Sequence, residues 1–379
     1  MSEEVTWTQE KIESFQDDLL AWYHHEKRDL PWRESTDPYR VWVSEIMLQQ
    51  TQVVTVIPYF NRFMEWFPTI EDLANAEEDK LLKAWEGLGY YSRVRNMQHA
   101  AKEMVETFDG KMPQTIEDIL SLKGIGPYTG GAIGSIAFSL PEPAIDGNVM
   151  RVYSRLFCLS DDIALPKTRK VFDKYVRETM SQTEPGDFNQ ALMDLGATIC
   201  TPTKPSCETC PIKHYCEAKK TDTASSYPVK KKKEKAKPLY YVADVIRNKT
   251  GAFLLEKRPE DGLLSNMWTF PMRDVTKEDY DRLVASYDSV EKKELQVAEQ
   301  LSLYEEEKID IKEKQLLGIV THIFSHRKWH VLVVEDLLRD TDREMLEKQK
   351  WVYQEEFDQY VFPKPQQKMV DLLKKSMNN

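Results

Sequence analysis

The sequence predicts two domains of different class, an all-α region followed by a smaller α/β or α+β domain. Three observations carry this. Apolar residues recur at helical spacing from residue 1 to about 220, with no sustained strand-type alternation. After Pro238 the period changes to that of strands. Between them, residues 221–238 include Lys230-Lys231-Lys232-Lys233-Glu234-Lys235-Ala236-Lys237-Pro238, whose like charges predict an extended, solvated linker that can also add phosphate contacts.

Residues 1–29 read as a helix with Phe15, Leu19, Leu20 and Tyr23 on one stripe, broken at Asp29-Leu30-Pro31-Trp32-Arg33. Asp37 then caps a helix that opens with Pro38 and runs to about Ile57. It is apolar almost all round, as buried helices are. Glu45 interrupts it, between Val41 and Leu48. A carboxyl in such company has its pKa pushed upward by desolvation, which is what a general acid at neutral pH requires. The competing reading is a structural Glu paired with an Arg. Trp85-Glu86-Gly87-Leu88-Gly89-Tyr90-Tyr91-Ser92-Arg93-Val94-Arg95 has the composition of a loop pressed against nucleic acid, with aromatics to stack or wedge. The competing reading is a helix–helix connection with aromatics in the core. Helices are expected again at 94–108 and 115–122.

Leu122-Lys123-Gly124-Ile125-Gly126-Pro127-Tyr128-Thr129 places two glycines, both expected in a turn too tight for side chains, before a Pro at a helix start. That pattern reads as a helix-hairpin-helix whose second helix aims free N–H groups at an anion such as a DNA phosphate. Asp146 lies 20 residues past Gly126, in Ala144-Ile145-Asp146-Gly147-Asn148-Val149. A glycine-rich helix–helix turn plus a capping Asp would look similar.

The sharpest signal is Cys200, Cys207, Cys210 and Cys216, a C-x6-C-x2-C-x5-C spacing within 17 residues. Four thiolates this close can close around one metal centre, either a zinc ion or an iron–sulfur cluster. A zinc ribbon usually pairs two C-x2-C knuckles, and only one is present. Cys158, in Leu156-Phe157-Cys158-Leu159, is expected to be a buried core residue.

Length and composition bound the rest. With 379 residues, 41% hydrophobic and 30% charged, the chain is expected to be a soluble protein of two to three domains. No apolar run of signal-peptide type or of bilayer-spanning length stands out, so no membrane association and a cytoplasmic location (nucleoid-associated if bacterial) are expected. The net charge of −11 argues against indiscriminate nucleic-acid binding, although a local basic face decides DNA binding. In the C-terminal part, strands are expected at 240–247 and 252–257 around Asn248-Lys249-Thr250-Gly251, and at 315–321 and 330–334. Helices are expected near 277–286 and 364–375.

Taken together, the hairpin, Asp146, Glu45 and the cysteine loop resemble the MutY family of adenine DNA glycosylases, within the helix-hairpin-helix superfamily that includes endonuclease III. The resemblance covers nearly the whole chain. Val43-Ser44-Glu45-Ile46-Met47-Leu48-Gln49-Gln50-Thr51 matches the family's catalytic-helix motif, and 85–95 and 145–149 match closely. The cysteine spacing is that of the family's [4Fe–4S] loop, so one such cluster is implied, with Lys204 and Lys213 carried towards DNA. A six-helix domain over about 30–136 is implied, with 1–29 and 137–220 forming the cluster domain. Where endonuclease III has its lysine nucleophile this chain has Tyr128, so dedicated lyase chemistry is not expected. Gly251–Arg258 and Leu263–Pro271 resemble a nudix fold, but the nudix catalytic helix pattern does not follow Pro271; residues 239–379 are implied to be a nudix-like domain that recognises 8-oxoguanine. Its recognition loop would be Phe324-Ser325-His326, a triplet that by itself reads as an ordinary hairpin loop.

The implied reaction is hydrolysis of the N-glycosidic bond of adenine mispaired with 8-oxoguanine or guanine in double-stranded DNA, by a monomer. Glu45 would be the acid. Asp146, at a normal or lowered pKa, would stabilise the sugar cation. Tyr128 and Asn148 would orient groups and water, Gly124 and Gly126 would grip phosphate, and Gln50 and Tyr90 would fill or wedge the space left by flipping. An endonuclease III-like enzyme for oxidised pyrimidines and a catalytically silent DNA-scanning module are the competing functions. Tyr128 and the C-terminal domain argue against the first, and Glu45 with Asp146 against the second.

Overall fold

The computed structural model describes residues 7–231, 236–290, 314–337 and 346–377. The chain divides into two compact units, one of residues 1–84 and 92–232, the other of residues 85–91 and 233–379.

The first unit is helical: α1 (Gln9–Glu26), α2 (Pro38–Leu48), α3 (Val53–Trp66), α4 (Ile70–Ala74), α5 (Glu78–Ala84), α6 (Ser92–Thr107), α7 (Ile116–Ser121), α8 (Pro127–Phe138), α9 (Gly147–Leu156), α10 (Arg169–Thr179), α11 (Pro185–Thr198) and α12 (Glu217–Lys220). Its helix starts follow the local chemistry. Asp37 accepts from Arg40 N at 2.9 Å with Pro38 in the first turn, and Thr115 accepts from Asp118 N at 3.2 Å. The apolar stripe of α1 packs with Val149 and Val152 of α9, Phe172 and Val176 of α10, and Phe188 and Leu192 of α11. Ile212 of the cysteine loop joins this core, so the loop is tied to the helices beneath it.

One long helix from Pro38 to Ile57 is not what forms. The chain breaks between α2 and α3, where Gln50 takes φ +58. A left-handed residue cannot continue a right-handed helix. Cys158 is half-buried rather than a core residue, since φ +53 turns the chain out of α9 at that point.

The second unit is built on a mixed sheet of β1 (Lys237–Arg247), β2 (Phe253–Lys257), β3 (Trp268–Thr269), β4 (Met272–Val275), β5 (Lys314–Ile323), β6 (Arg327–Leu337) and β7 (Gln349–Val352), ordered β3-β2-β1-β6-β5 with β4 on β1 and β7 on β2. β1 runs parallel to β6 from Lys237↔Arg327 to Arg247↔Leu337. Lys237 and Pro238 therefore belong to a strand and not to the linker. Alternate residues serve opposite faces. Ala243, Val245, Val331 and Val333 pack towards Met369, Val370 and Leu373 of α14 (Lys364–Met377), following α13 (Lys277–Val290) in the chain. Val242, Leu332 and Val334 pack with Tyr280 of α13. Two covered faces make this unit α/β. Among the described residues no helix is long and apolar enough to cross a membrane.

Candidate active site and cysteine loop

α2 packs against α8, and that contact builds the site. Glu45 lies in the interior of α2 and is 6% exposed. Its own helix supplies no donor to it, because interior N–H groups are already bonded. The hydroxyl of Tyr128, in the first turn of α8, donates to Glu45 Oε2 at 2.5 Å. Burial drives the Glu45 pKa up to about 7, and the negative charge of Asp146 adds to this. The Tyr128 hydrogen bond and the more remote Arg33 act in the opposite direction. Arg33 is not a direct partner, for its guanidinium bonds Asp194 at 2.7 and 3.0 Å. Burial would raise Asp194, but hydrogen bonds from Arg33 and Arg28 hold it below the usual carboxylate range. Tyr128 itself is pushed well up, first by burial and then by the Glu45 and Asp146 charges.

Asp146 is the N-cap of α9, with Oδ1 accepting from Val149 N at 2.8 Å. The capping and catalytic readings therefore describe one residue. Asn148 Nδ2 donates to Asp146 Oδ2 at 2.7 Å. The expected normal or lowered pKa is corrected: burial raises Asp146, while the Val149 and Asn148 hydrogen bonds and the Arg151 charge work against that rise. The segment leading to Asp146 is held by Asn189, fully buried, which accepts from Ala144 N at 3.1 Å and donates to Glu142 O at 2.8 Å. Arg169 donates to Ile145 O at 2.8 Å.

The turn before α8 has the expected hairpin form with one difference. Gly124 takes φ +82, and a Cβ there would lie 2.7 Å from Asn96 Cβ, so glycine is required. Gly126 is the N-cap of α8 at φ −96 and needs no left-handed freedom; a Cβ would meet nothing within 4 Å. What Gly126 leaves is open space before the first N–H groups of α8, where no side chain caps them. That suits an approaching anion.

A polar chain joins the site to the cysteine loop. Arg151 Nη2 donates to Asn148 Oδ1 and to Gly196 O, each at 2.7 Å, and its Nε donates to Cys200 O at 2.7 Å. Asp146, Asn148, Arg151 and Cys200 are thus linked in series. Arg155 Nη1 approaches Cys200 Sγ at 3.2 Å and donates to Thr201 O at 2.8 Å. Cys200, Cys207, Cys210 and Cys216 are all half-buried and free of disulfides. Burial raises the thiols of Cys210 to about 12 and Cys216 to about 11, and negative charge on the other cysteines adds to it. A bound cation would relieve that repulsion. Among the described residues, ligand atoms from three side chains converge within 4.8 Å at exposed His24 and Glu184 with half-buried Asp187, and not among these sulfurs. A single tetrahedral zinc would need sulfurs about 3.8 Å apart, from a Zn–S bond of about 2.3 Å. Among the described residues no three of these sulfurs lie within 4.8 Å of one another, a wider spacing than that. Lys213 Nζ donates to Glu208 O within the loop at 2.7 Å, and Lys204 is exposed.

In the second unit, Phe324, Ser325 and His326 form the turn between β5 and β6, with Phe324 N donating to Arg327 O at 2.7 Å. Phe324 is half-buried against Trp329, while Ser325 and His326 are exposed. The loop 85–91 belongs to this unit, and Tyr90, at φ +48, places its hydroxyl 2.6 Å from Ser325 Oγ. Trp85 and Tyr91 are buried, as the core reading expected, while Tyr90 is exposed. Sequence reasoning missed Asn189, Arg151 and Asp194. No periodicity distinguishes a buried polar residue whose partners are far away in the chain.

A buried acid over a helix-hairpin-helix, beside a cysteine loop, defines the protein class. Residues 43–178 match the model of the HhH-GPD superfamily base excision DNA repair protein, 200–216 the iron–sulfur binding domain of endonuclease III, and 242–372 the NUDIX domain. The loop is accordingly an iron–sulfur binding site. The structure of a thermostable thymine-DNA glycosylase is similar, with 27% identity and TM-score 0.51 over 56% of this chain and 98% of that one.

The adenine DNA glycosylase of Schizosaccharomyces pombe is 32% identical over 85% of this chain and 81% of its own length. The Arabidopsis thaliana adenine DNA glycosylase is 38% identical over 83% of this chain and 56% of its own. The chain belongs to the adenine DNA glycosylase family. It spans only part of the first relatives it matches, 60% of the Mus musculus protein and 40% of the Homo sapiens one.

Proposed function

We propose that this protein excises adenine mispaired with 8-oxoguanine or guanine in double-stranded DNA, acting as a glycosylase without a dedicated lyase step. The observation that carries this is Glu45, a buried carboxyl with a pKa of about 7, hydrogen-bonded by Tyr128 and near Asp146. Adenine inside a duplex is out of reach, so it must be extruded. Protonated Glu45 gives its proton to adenine N7. The bond between N9 and C1′ then breaks, its electron pair leaving with adenine and positive charge developing at the sugar. Asp146, its carboxylate favoured by Val149 N and Asn148, stabilises that cation or traps it covalently. Water completes the product at C1′ and its proton passes to a carboxylate. Tyr128 offers no amine for a Schiff base.

The hairpin at Gly124 and Gly126 grips a phosphate, and Gln50 and Tyr90 fill or wedge the vacated stack. Phe324, Ser325 and His326 read the partner base. The four cysteines would hold one [4Fe–4S] cluster, which would tie together the loop whose Cys200 O accepts from Arg151. Purified protein should then be brown with a broad visible absorption band. A colourless protein with one stoichiometric zinc would overturn the cluster.

Single-turnover release of adenine from an 8-oxoguanine:adenine duplex tests the function. Activity on thymine glycol DNA instead would favour the endonuclease III-like reading, and no base release at all a silent module. Ser325→Ala with His326→Ala should keep base release and narrow the preference for 8-oxoguanine over guanine by about tenfold, since an unmade hydrogen bond at N7 costs ~1–3 kcal/mol. An unchanged ratio of rates on the two duplexes would remove the triplet from partner-base reading.

A further inference from the structure

The end of α2 is finished in an unusual way. The last four carbonyls of a helix have no partner within it. Here Arg93, from the first turn of α6, brings Nη1 to Ile46 O at 2.6 Å, Gln49 O at 2.8 Å and Met47 O at 3.3 Å. The fourth, Leu48 O, takes Thr51 N at 3.2 Å, and Thr51 Oγ1 adds a contact to Gln49 O at 3.3 Å. All four are satisfied within a turn whose next residue, Gln50, sits at φ +58. Glycine is the usual residue at that position of a helix end. A side chain there is disfavoured by roughly tenfold or more in population. Gln50 is exposed, so packing does not account for a glutamine at this place. Strain kept at a residue five positions from the buried acid marks a functional constraint.

We propose that Arg93 is a positioning residue: by gathering the carbonyls at the end of α2, its guanidinium holds the left-handed turn that keeps Gln50 exposed beside the catalytic helix, ready to occupy the stack when adenine leaves it. Its positive charge at a helix C-terminus favours the same arrangement. The inference rests on the proposed excision reading for what Gln50 does, but not for how the turn is held.

The test uses the full chain and two readouts. In the free protein, amide exchange at Thr51 reports the turn without DNA. Arg93→Met should speed it by about tenfold or more. Gln50→Gly on that background should slow it again, because glycine is at ease at positive φ. On a duplex with 2-aminopurine in place of the adenine opposite 8-oxoguanine, Arg93→Met should lower the extrusion equilibrium by about tenfold, and Gln50→Gly should not restore it. Adenine release should fall by a similar factor, with the midpoint of its pH profile unmoved. Arg93→Lys keeps the charge, ends nearer its own backbone and should fall between; it also serves as the variant if Arg93→Met does not fold. Unchanged exchange at Thr51 would overturn the proposal. So would unchanged extrusion with a shifted pH midpoint, which would mean that Arg93 acts through Glu45. If the wild type releases no adenine, the excision reading fails, while amide exchange still decides whether Arg93 holds the turn.

Discussion

Two neighbouring carboxyls, Glu45 buried and Asp146 half-buried, are handled differently by the helices that carry them. Glu45 lies inside α2, where every backbone N–H is used by the helix, so its hydrogen bond comes from a side-chain hydroxyl and burial dominates. Asp146 stands at the start of α9, where a free N–H and the positive end of the helix dipole meet its carboxylate. Burial raises both and hydrogen bonds oppose it at both, from one tyrosine hydroxyl at Glu45 and from a backbone N–H and the Asn148 amide at Asp146. A helix interior thus makes an acid, and a helix N-terminus favours an anion.

Removing the acid should have the largest effect. Glu45→Gln keeps the shape and loses the transferable proton, so single-turnover adenine release should drop at least ~100-fold with mispair binding retained. Near-normal turnover would end the acid assignment. Asp146→Asn sharpens the contrast, because Asn caps a helix about as well as Asp. Stability should change by only a few tenths of a kcal/mol in denaturant melts, while adenine release falls by about 100-fold. Equal losses of stability and rate would reduce Asp146 to a cap.

Two pH measurements probe the smaller effects. Glu45 is protonated in the folded protein up to about pH 7, against an ordinary value of 4.5. The folded state therefore holds a proton that the unfolded chain releases earlier. The resulting stability is complete below the unfolded value and is lost as pH rises through about 7, by on the order of 3 kcal/mol. Glu45→Gln should flatten that part of the stability profile. Tyr128→Phe removes a hydrogen bond that favours the carboxylate, so the alkaline fall of the pH–rate profile should move up by about one unit. A shift downward would contradict the Tyr128–Glu45 geometry.

Much of this pair is legible in the amino-acid sequence. Glu45 stands out as a charge within an apolar helix, and Asp146 follows the hairpin at a telling offset. The fourfold cysteine spacing is likewise a property of the chain alone. Tyr128 draws attention as the residue standing where a lysine is missing, yet its contact with Glu45 exists only once α8 lies on α2. The same is true of the break at Gln50, since apolar runs do not reveal a single residue with positive φ. Nor does the sequence mark the linker's end correctly at Pro238, because the strand pairing of Lys237 with Arg327 spans most of the second unit.

What the sequence by itself determined is local: helix starts from Asp37-Pro38 and Thr115, the need for glycine at 124, the thiol spacing, and the change of period after Pro238. Each depends on neighbours a few residues away, so composition and spacing carry it. Tertiary structure alone decided which polar atoms meet. Asn189 tied to Ala144, Arg33 turned to Asp194 instead of Glu45, and Arg151 joining Asn148 to Cys200 all link residues distant in the chain. The energy of a buried polar group depends on the partner it finds there, and that partner is set by how the helices pack.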